Sequence, residues 1–149
     1  MKIEQEIKQS KFRNEYHKLA INLAYTANWL SRITAQTLKP YKLTPQQFNV
    51  LRILRGQQPN PASINLITER MIDKMSNASR LVDKLLEKAL VERTVCPTDR
   101  RQVDVRITDK GIALLAELDP KLDELNTLLG RISVDEAAKL NELLDRIRD

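Results

Sequence analysis

The feature that most constrains the fold is a change of hydrophobic period near the middle of the chain. Residues 75–88 place apolar side chains at the three- and four-residue spacing of a buried helical face. Residues 91–95 and 103–107 then alternate apolar and polar side chains, as paired strands do. Between these strands lies CPTDRRQ (96–102), so the two strands are expected to form a hairpin with a basic tip. This order predicts a helix packed against a small β-hairpin wing.

The segment before this helix carries the signals of a helix-turn-helix. Ser63 is a suitable N-cap for a short helix, and only about three residues, 72–74, separate that helix from the one at 75–88. Upstream, residues 44–47 (TPQQ) combine a hydroxyl N-cap, a first-turn proline and a capping-box glutamine, which predicts another helix start. Gly56 and the residues after it are expected to end that helix.

Long amphipathic helices are predicted at both ends of the chain. Residues 12–38 present one apolar face until Pro40 closes the helix. Thr108 caps a helix that continues past Pro120, where it can kink, and Ser133 starts a final helix through a capping box. We expect the apolar stripes of the first and last helices to pack together, within and between chains, in a homodimer. The alternative is that both stripes are buried inside one monomer.

The segment from Met75 onward resembles a known family. The run MSNASRLVDKLLEKALVERTVCPTDRRQVDVRIT, followed by DKG, is similar to the recognition helix and wing of the MarR (multiple antibiotic resistance regulator) family. The strongest likeness lies in RLVDKLLEK, LVER and TDRR. The order of a long helix, the TPQQF helix, the helix-turn-helix, the hairpin and two closing helices is similar to the family's layout over nearly the whole chain.

The resemblance implies a mainly α fold with a small β-hairpin wing: a winged helix-turn-helix with N- and C-terminal dimerisation helices. It implies one domain over residues 1–149, with dimerisation helices at about 10–38 and 112–149 and a DNA-binding region at about 44–108. Many members are repressors that small phenolic or hydrophobic ligands release. We therefore expect a sequence-specific regulator that binds double-stranded DNA as a homodimer on a pseudo-palindromic operator and represses transcription, and we do not expect an enzyme.

Polar side chains at the front of the predicted recognition helix suit base recognition. Asn can pair bidentately with adenine and Arg with guanine, so Asn77 and Arg80 are candidates for direct readout, although Arg80 could instead hold a phosphate. At the wing tip we expect Arg101 to have the stronger DNA role, and in the family pattern the acid at Asp99 pairs with an arginine and organises the wing. The predicted DNA-binding residues are Lys74, Ser76, Asn77, Ser79, Arg80, Lys84, Arg100 and Arg101. The alternative for this set is an ordinary solvated surface.

Two residues depart from the family pattern, and both lie at turns. Ala89 follows the recognition helix where the family often has glycine, and Ile72 lies in the helix-turn-helix turn where glycine is common. Because alanine and isoleucine disfavour positive φ, we expect both turns to be wound more helically in this chain.

The composition limits other classes of function. An excess of 25 Lys and Arg over 20 Asp and Glu suits a polyanionic partner without requiring one. The single cysteine, Cys96, cannot form an intrachain disulfide, so we expect a reducing compartment, the cytoplasm, and no apolar run predicts a membrane span. The only histidine, His17, lies far in sequence from Cys96, so we expect no catalytic pair, no metal site and no cofactor.

A few residues allow more than one interpretation. Cys96 on the first wing strand could act as a redox switch, with an inert thiol as the favoured alternative. Four residues of the first helix could line a pocket for a small hydrophobic or phenolic effector, unless they are core or plain surface. They are Tyr16, His17, Tyr25 and Trp29. The competing function is a winged-helix module that binds another protein and no DNA. Binding of single-stranded RNA would need an exposed aromatic platform, and the sequence predicts none.

Overall fold

Seven α-helices and one small antiparallel sheet make up the chain, and a computed structural model describes all 149 residues. The helices are α1 (Ile3–Glu6), α2 (Glu15–Leu38), α3 (Pro45–Gln57), α4 (Ile64–Arg70), α5 (Ala78–Glu87), α6 (Asp109–Leu129) and α7 (Val134–Arg148), with a 3-10 turn at Lys39–Tyr41. The strands are β1 (Ala62–Ser63), β2 (Val91–Val95) and β3 (Val103–Ile107). The predicted mainly α fold with a small β-wing is confirmed.

Short polar side chains start six of the seven helices. Both predicted capping boxes are present: Thr44 Oγ1 accepts the N–H of Gln47 at 3.1 Å, and Ser133 Oγ accepts the N–H of Glu136 at 3.2 Å. Each cap satisfies a backbone N–H group that has no partner inside its helix. The capping residues are Asn14, Thr44, Ser63, Asn77, Thr108 and Ser133. These side chains determine where the helices begin.

The N-terminal arm differs from the prediction. α2 begins at Glu15, because Asn14 caps it, and not near Phe12. The short helix α1, which the hydrophobic pattern did not indicate, folds back on α2. Glu4 of α1 pairs with Lys18 of α2 at 2.6 Å. This pair lowers the pKa of Glu4 through the hydrogen bond from Lys18, and it raises the pKa of Lys18.

The turn between α4 and α5 is longer than predicted. α5 begins at Ala78 and not near Met75, because Asn77 caps it. The carboxylate of Asp73 accepts the N–H of Met75 at 3.0 Å, and this local hydrogen bond keeps residues 73–75 in a turn ahead of the helix. The predicted three-residue turn is therefore wrong, and residues 71–77 link the two helices.

A third strand anchors the wing to the helix-turn-helix. β2 and β3 form the predicted antiparallel hairpin, in which Val91 faces Ile107. β1 pairs with β3, so that the strand order is β1-β3-β2. Ser63 is both the last residue of β1 and the N-cap of α4. The sheet and the first helix of the helix-turn-helix are therefore directly joined.

The hydrophobic core lies between Leu38 and Leu118. Helices α3 to α6 and all three strands contribute to one cluster of 18 buried residues. α5 buries Ala78, Val82 and Leu85 in it, as its predicted stripe requires. α2 contributes only Leu38, and α7 contributes no buried residue. The apolar stripes of the terminal helices are therefore not buried within one chain.

α6 connects the wing to the C-terminal helix and is fixed to α3 on the way. Its first turn packs so closely that a Cβ on Gly111 would overlap the Leu90 carbonyl oxygen, which requires glycine there. The helix continues through Pro120, as predicted. Arg55 of α3 then forms a bidentate ion pair with Asp119, with N···O distances of 2.8 and 3.1 Å.

The turn after α5 contradicts the expectation of a more helical winding. Ala89 has a φ of 56°, in the left-handed region, whereas Ile72 does not have a positive φ. The N–H of Leu90 donates to the Leu85 carbonyl at 3.1 Å, and the N–H of Ala89 donates to the Leu86 carbonyl at 2.9 Å. These two bonds satisfy helix-end carbonyls while the chain turns into β2. They offset a steric cost of about 1–2 kcal/mol for alanine in this conformation.

Ala89→Gly is expected to stabilise the protein, because glycine adopts the left-handed conformation without a Cβ clash. The gain in the free energy of unfolding should be about 0.5–1 kcal/mol once the larger unfolded-state entropy of glycine is subtracted. Chemical denaturation at a fixed protein concentration measures this difference.

Ala113→Gly is the matched control, since Ala113 is exposed within α6. There the same substitution should lower the free energy of unfolding by about 1 kcal/mol. An Ala89→Gly protein no more stable than the wild type would contradict the strain assigned to this turn.

Candidate nucleic-acid interface

Burial of one face of α5 determines which of its residues face solvent. Ala78, Val82 and Leu85 point into the core, so the opposite side carries exposed polar and charged side chains. The exposed residues are Ser79, Arg80, Asp83, Lys84 and Glu87. As the second helix of a helix-turn-helix, α5 occupies the position from which a recognition helix enters the major groove.

Ahead of α5, three of the predicted DNA-binding residues have a side-chain group that is buried or hydrogen-bonded within the chain. Asn77 Oδ1 accepts the N–H of Arg80 at 3.1 Å, whereas bidentate pairing with adenine needs that oxygen. Ser76 Oγ is buried without a hydrogen-bond partner. The Lys74 ammonium group donates to the carbonyl oxygen of Glu69. In the free chain the Ser76 hydroxyl is therefore withdrawn from solvent, whereas Lys74 and Asn77 are exposed and would have to exchange these hydrogen bonds to contact DNA.

On the helix itself, the predicted residues are more accessible. Ser79 and Arg80 are exposed, and Arg80 takes part in none of the ion pairs of the chain. Lys84 pairs with Glu87 at 3.1 Å, with both side chains largely exposed. Exposed pairs of this kind contribute little stability, so Lys84 can exchange its partner for a phosphate at small cost.

An ion pair that the sequence did not indicate connects the recognition helix to the wing. Arg93 of β2 donates to Asp83 of α5 at 3.0 Å. The signal was present in the alternation of β2, because Arg93 lies on the same face as the buried Val91. The packing of the sheet on α5, which brings the two side chains together, could not be predicted from this alternation.

The wing tip is a closed loop that exposes two arginines. The N–H of Cys96 donates to the Gln102 carbonyl at 2.9 Å and closes the loop. The Asp99 carboxylate accepts the N–H of Arg101 at 2.9 Å, so it contacts the backbone of the turn and forms no ion pair. Arg100 and Arg101 are exposed and also take part in no ion pair. Their contact with DNA stays a prediction.

Comparison with known proteins decides the family. The MarR family model matches residues 43–103, which cover α3, the helix-turn-helix and most of the wing. The HTH-type transcriptional regulator MhqR of Bacillus subtilis is 33% identical over 108 residues, which are 70% of this chain and 72% of MhqR. The chain belongs to the MarR family.

Solved structures of MarR proteins agree with this assignment. A MarR transcription factor from Planctomyces limnophilus is 29% identical with a TM-score of 0.69, covering 91% of this chain and 98% of that one. BpsR of Bordetella bronchiseptica, whose DNA binding is regulated by 6-hydroxynicotinic acid, is 25% identical with a TM-score of 0.75, covering 89% and 99%. This MarR protein is therefore a DNA-binding transcription regulator and not an enzyme. None of its helices combines the length and hydrophobicity that a membrane span requires.

In this MarR protein, Cys96 lies just beyond β2 and not on the strand, at the base of the wing loop. The Thr98 hydroxyl is 3.2 Å from its sulfur. This hydrogen bond, together with the N–H groups of Thr98 and Asp99, lowers the pKa of Cys96 below its ordinary value. A lower pKa favours the reactive thiolate, and redox sensing by this residue stays a prediction.

Two of the four residues predicted to line an effector pocket lie beside the same cleft. Tyr25 and Trp29 lie beside a cleft of about 220 Å³ against the N-terminal arm, where the Tyr25 hydroxyl donates to Glu6 at 2.6 Å. Tyr16 is exposed and His17 is half-buried, and neither lines this cleft. The four residues are spread along α2 over about 20 Å, at about 1.5 Å per residue, so the helix itself separates them.

A larger cleft of about 380 Å³ lies where α2 meets the start of α3. Its lining residues are Arg32, Ala35, Gln36, Lys39, Lys42, Leu43, Thr44 and Pro45. The exposed lining is mostly apolar, while three of the residues are cationic and none is acidic, so the cleft suits a ligand that is both apolar and anionic. The sequence did not indicate this cleft, because it depends on the angle at which the chain turns from α2 into α3.

Thr98→Val is expected to raise the pKa of Cys96 toward its ordinary value, because it removes the hydroxyl that stabilises the thiolate. The pH at which alkylation by iodoacetamide reaches half of its maximal rate should therefore move upward. Thr94→Val is the control, since Thr94 is exposed on β2. It should leave the midpoint unchanged. The same midpoint in Thr98→Val and the wild type would mean that the hydroxyl does not set this pKa.

Proposed function

We propose that this MarR protein is a homodimeric repressor that binds a pseudo-palindromic operator in double-stranded DNA. The proposal rests on exposed arginines of the recognition helix and the wing that form no ion pair within the chain. Arg80 of α5 and Arg100 and Arg101 of the wing tip are exposed and outside every ion pair of the chain. The neighbouring carboxylates are engaged, since Asp83 pairs with Arg93 and Asp99 accepts a backbone N–H. Unpaired guanidinium groups are thus available to phosphates and base edges.

The terminal helices support homodimerisation. α7 contributes nothing to the core, and Leu140, Leu143 and Ile147 remain 47%, 41% and 56% exposed. An apolar stripe of this length needs a covering surface, and a second copy of the chain offers a matching one. We therefore assign dimerisation to residues of about 10–38 and 112–149 and DNA binding to about 44–108, within one domain of residues 1–149.

Two-fold symmetry sets the form of the operator. In a dimer, the two α5 helices are related by the symmetry axis, so that inverted half-sites about 34 Å apart, one turn of DNA, would place both in successive major grooves. Each wing would reach the neighbouring backbone or minor groove with Arg100 and Arg101. A dimer bound in this way at a promoter would exclude the transcription machinery from that stretch of DNA.

Release by a small ligand is the finer part of the proposal. The cleft between α2 and α3 contains Arg32, Lys39 and Lys42 and borders Thr44, the N-cap of α3. An aromatic carboxylate bound there would neutralise these charges and bias the position of the DNA-binding region relative to α2. The regulation of BpsR by 6-hydroxynicotinic acid, an aromatic carboxylate, supports this class of effector.

Selection from a random pool of duplex DNA should recover a pseudo-palindromic site and, in a parallel RNA pool, nothing. A reporter gene carrying that site should fall in expression when the protein is present. Arg101→Ala should weaken binding to the selected site by about 1–3 kcal/mol and reduce the slope of log K against log salt by about 1.

Arg13→Ala is the control, because it removes the same charge from the N-terminal arm. It should change neither the affinity nor the salt dependence. Recovery of no DNA site, or an affinity independent of salt, would favour the alternative of a winged-helix module that binds another protein.

Leu143→Glu should convert the dimer into a monomer and abolish operator binding, because a carboxylate would be buried in an apolar interface. Sedimentation velocity at micromolar concentration measures the oligomeric state. Asn141→Glu places the same charge at an exposed polar position of α7 and should remain dimeric. A wild-type protein that sediments as a monomer would refute the proposed assembly.

Calorimetric titration with 6-hydroxynicotinic acid and with its neutral amide tests the effector class. The acid should bind and the amide should not, and Arg32→Gln should weaken binding of the acid about tenfold, or about 1.4 kcal/mol. Equal binding of acid and amide would show that the charges of the cleft do not select the ligand.

A further inference from the structure

We propose that Met75 contacts the 5-methyl group of a thymine in the major groove and thereby contributes to the choice of operator. The inference rests on the proposed function, because it requires the turn ahead of α5 to lie against DNA. It assigns part of the sequence recognition to an apolar side chain that lies outside the recognition helix.

The polar side chains of the turn between α4 and α5 are turned back on the protein. These residues are Asp73, Lys74, Ser76 and Asn77. The carboxylate of Asp73 and the amide oxygen of Asn77 accept backbone N–H groups at 3.0 and 3.1 Å. The ammonium group of Lys74 donates to the Glu69 carbonyl, and the hydroxyl of Ser76 is buried. Each of the four therefore has a polar atom that is hydrogen-bonded within the chain or buried, which reduces what these side chains offer to base edges.

The two apolar side chains of the same turn point outward. Met75 is 92% exposed and Ile72 is 82% exposed, and neither belongs to the hydrophobic core. Leaving such side chains in water is unfavourable, and they contribute no packing to the fold in return. The usual arrangement of a surface turn, polar outside and apolar inside, is therefore inverted at this point. A partner that covers the turn accounts for the inversion.

Duplex DNA is the partner that this position favours. Met75 lies three residues before Ala78, at the N-terminal end of α5, which is the end that meets base edges in a helix-turn-helix. Arg80, five residues further along the chain, adds an exposed cation in the first turn of α5. In the major groove the apolar feature that distinguishes one base from another is the methyl group of thymine. A flexible, polarisable methionine side chain can adjust to pack against it.

The test replaces each thymine of the selected operator, one at a time, with 2′-deoxyuridine, which lacks only the methyl group. Fluorescence anisotropy then gives the Kd for the wild type, Met75→Ala and Met75→Leu. At one thymine in each half-site the replacement should weaken wild-type binding about threefold to tenfold, the effect of losing one buried methyl group. Met75→Ala should be insensitive to that replacement, and Met75→Leu, which keeps an apolar contact, should remain sensitive.

Ile72→Ala is the matched control, since it truncates the other exposed apolar residue of the turn, and it should keep the thymine sensitivity. If no operator can be selected, the proposed function itself fails. If an operator is selected but no thymine is sensitive, or Met75→Ala keeps the wild-type sensitivity, the methyl contact is overturned and DNA binding stands. Loss of sensitivity in Ile72→Ala alone would also overturn the assignment to Met75.

Discussion

The rest of the interface depends on the burial of Ala78, Val82 and Leu85. These side chains are between 0% and 3% exposed, and they hold α5 at one rotation about its axis. Successive residues of a helix lie about 100° apart around its axis. A helix buried one residue out of register would therefore rotate Arg80 away from its position facing solvent. β3 contributes Val105 to the same cluster, so the wing takes its position from the same core. Apolar contacts inside the protein therefore decide which charged groups stand outside it.

Hydrophobic side chains are buried within the chain in one region and left exposed in another. The region around the sheet completes its own core, whereas α7 leaves its stripe uncovered. α6 belongs to both regions, since it is buried at Leu115 and Leu118 and then extends beyond the core. The bidentate contact between Arg55 and Asp119 lies at this boundary and fixes α3 to α6. Movement between the two regions would have to accommodate this contact and also the hydrogen bond that Tyr41, at the turn between α2 and α3, donates to Glu117 of α6.

Much of this organisation could be predicted because its signals are local. The caps at Thr44 and Ser133, the helical period of α5 and the two-residue period of the wing strands all correspond to the structure. The hydrogen bond of Asn77 could not be predicted in this way, because one carboxamide suits both a helix cap and base readout. Only the fold shows that the cap is formed. Ala89 adopts the left-handed conformation that the turn into β2 requires, against the steric preference of alanine. β1 has only two residues, which are too few to show a hydrophobic period. The anion-attracting cleft depends on an interhelical angle, which no local pattern encodes.

The ion pair between Arg93 and Asp83 makes the recognition helix and the first wing strand a single modular unit. A chimaera that received α5 alone from another regulator would lose the partner of Arg93 and leave its guanidinium facing a foreign side chain. The pair is exposed and adds little stability, so such a chimaera would fold on the same core, but it would carry an uncompensated guanidinium group beside its recognition helix and so a different charge on its surface. Transplanting a DNA preference between relatives therefore calls for exchanging residues 78–95 as one block.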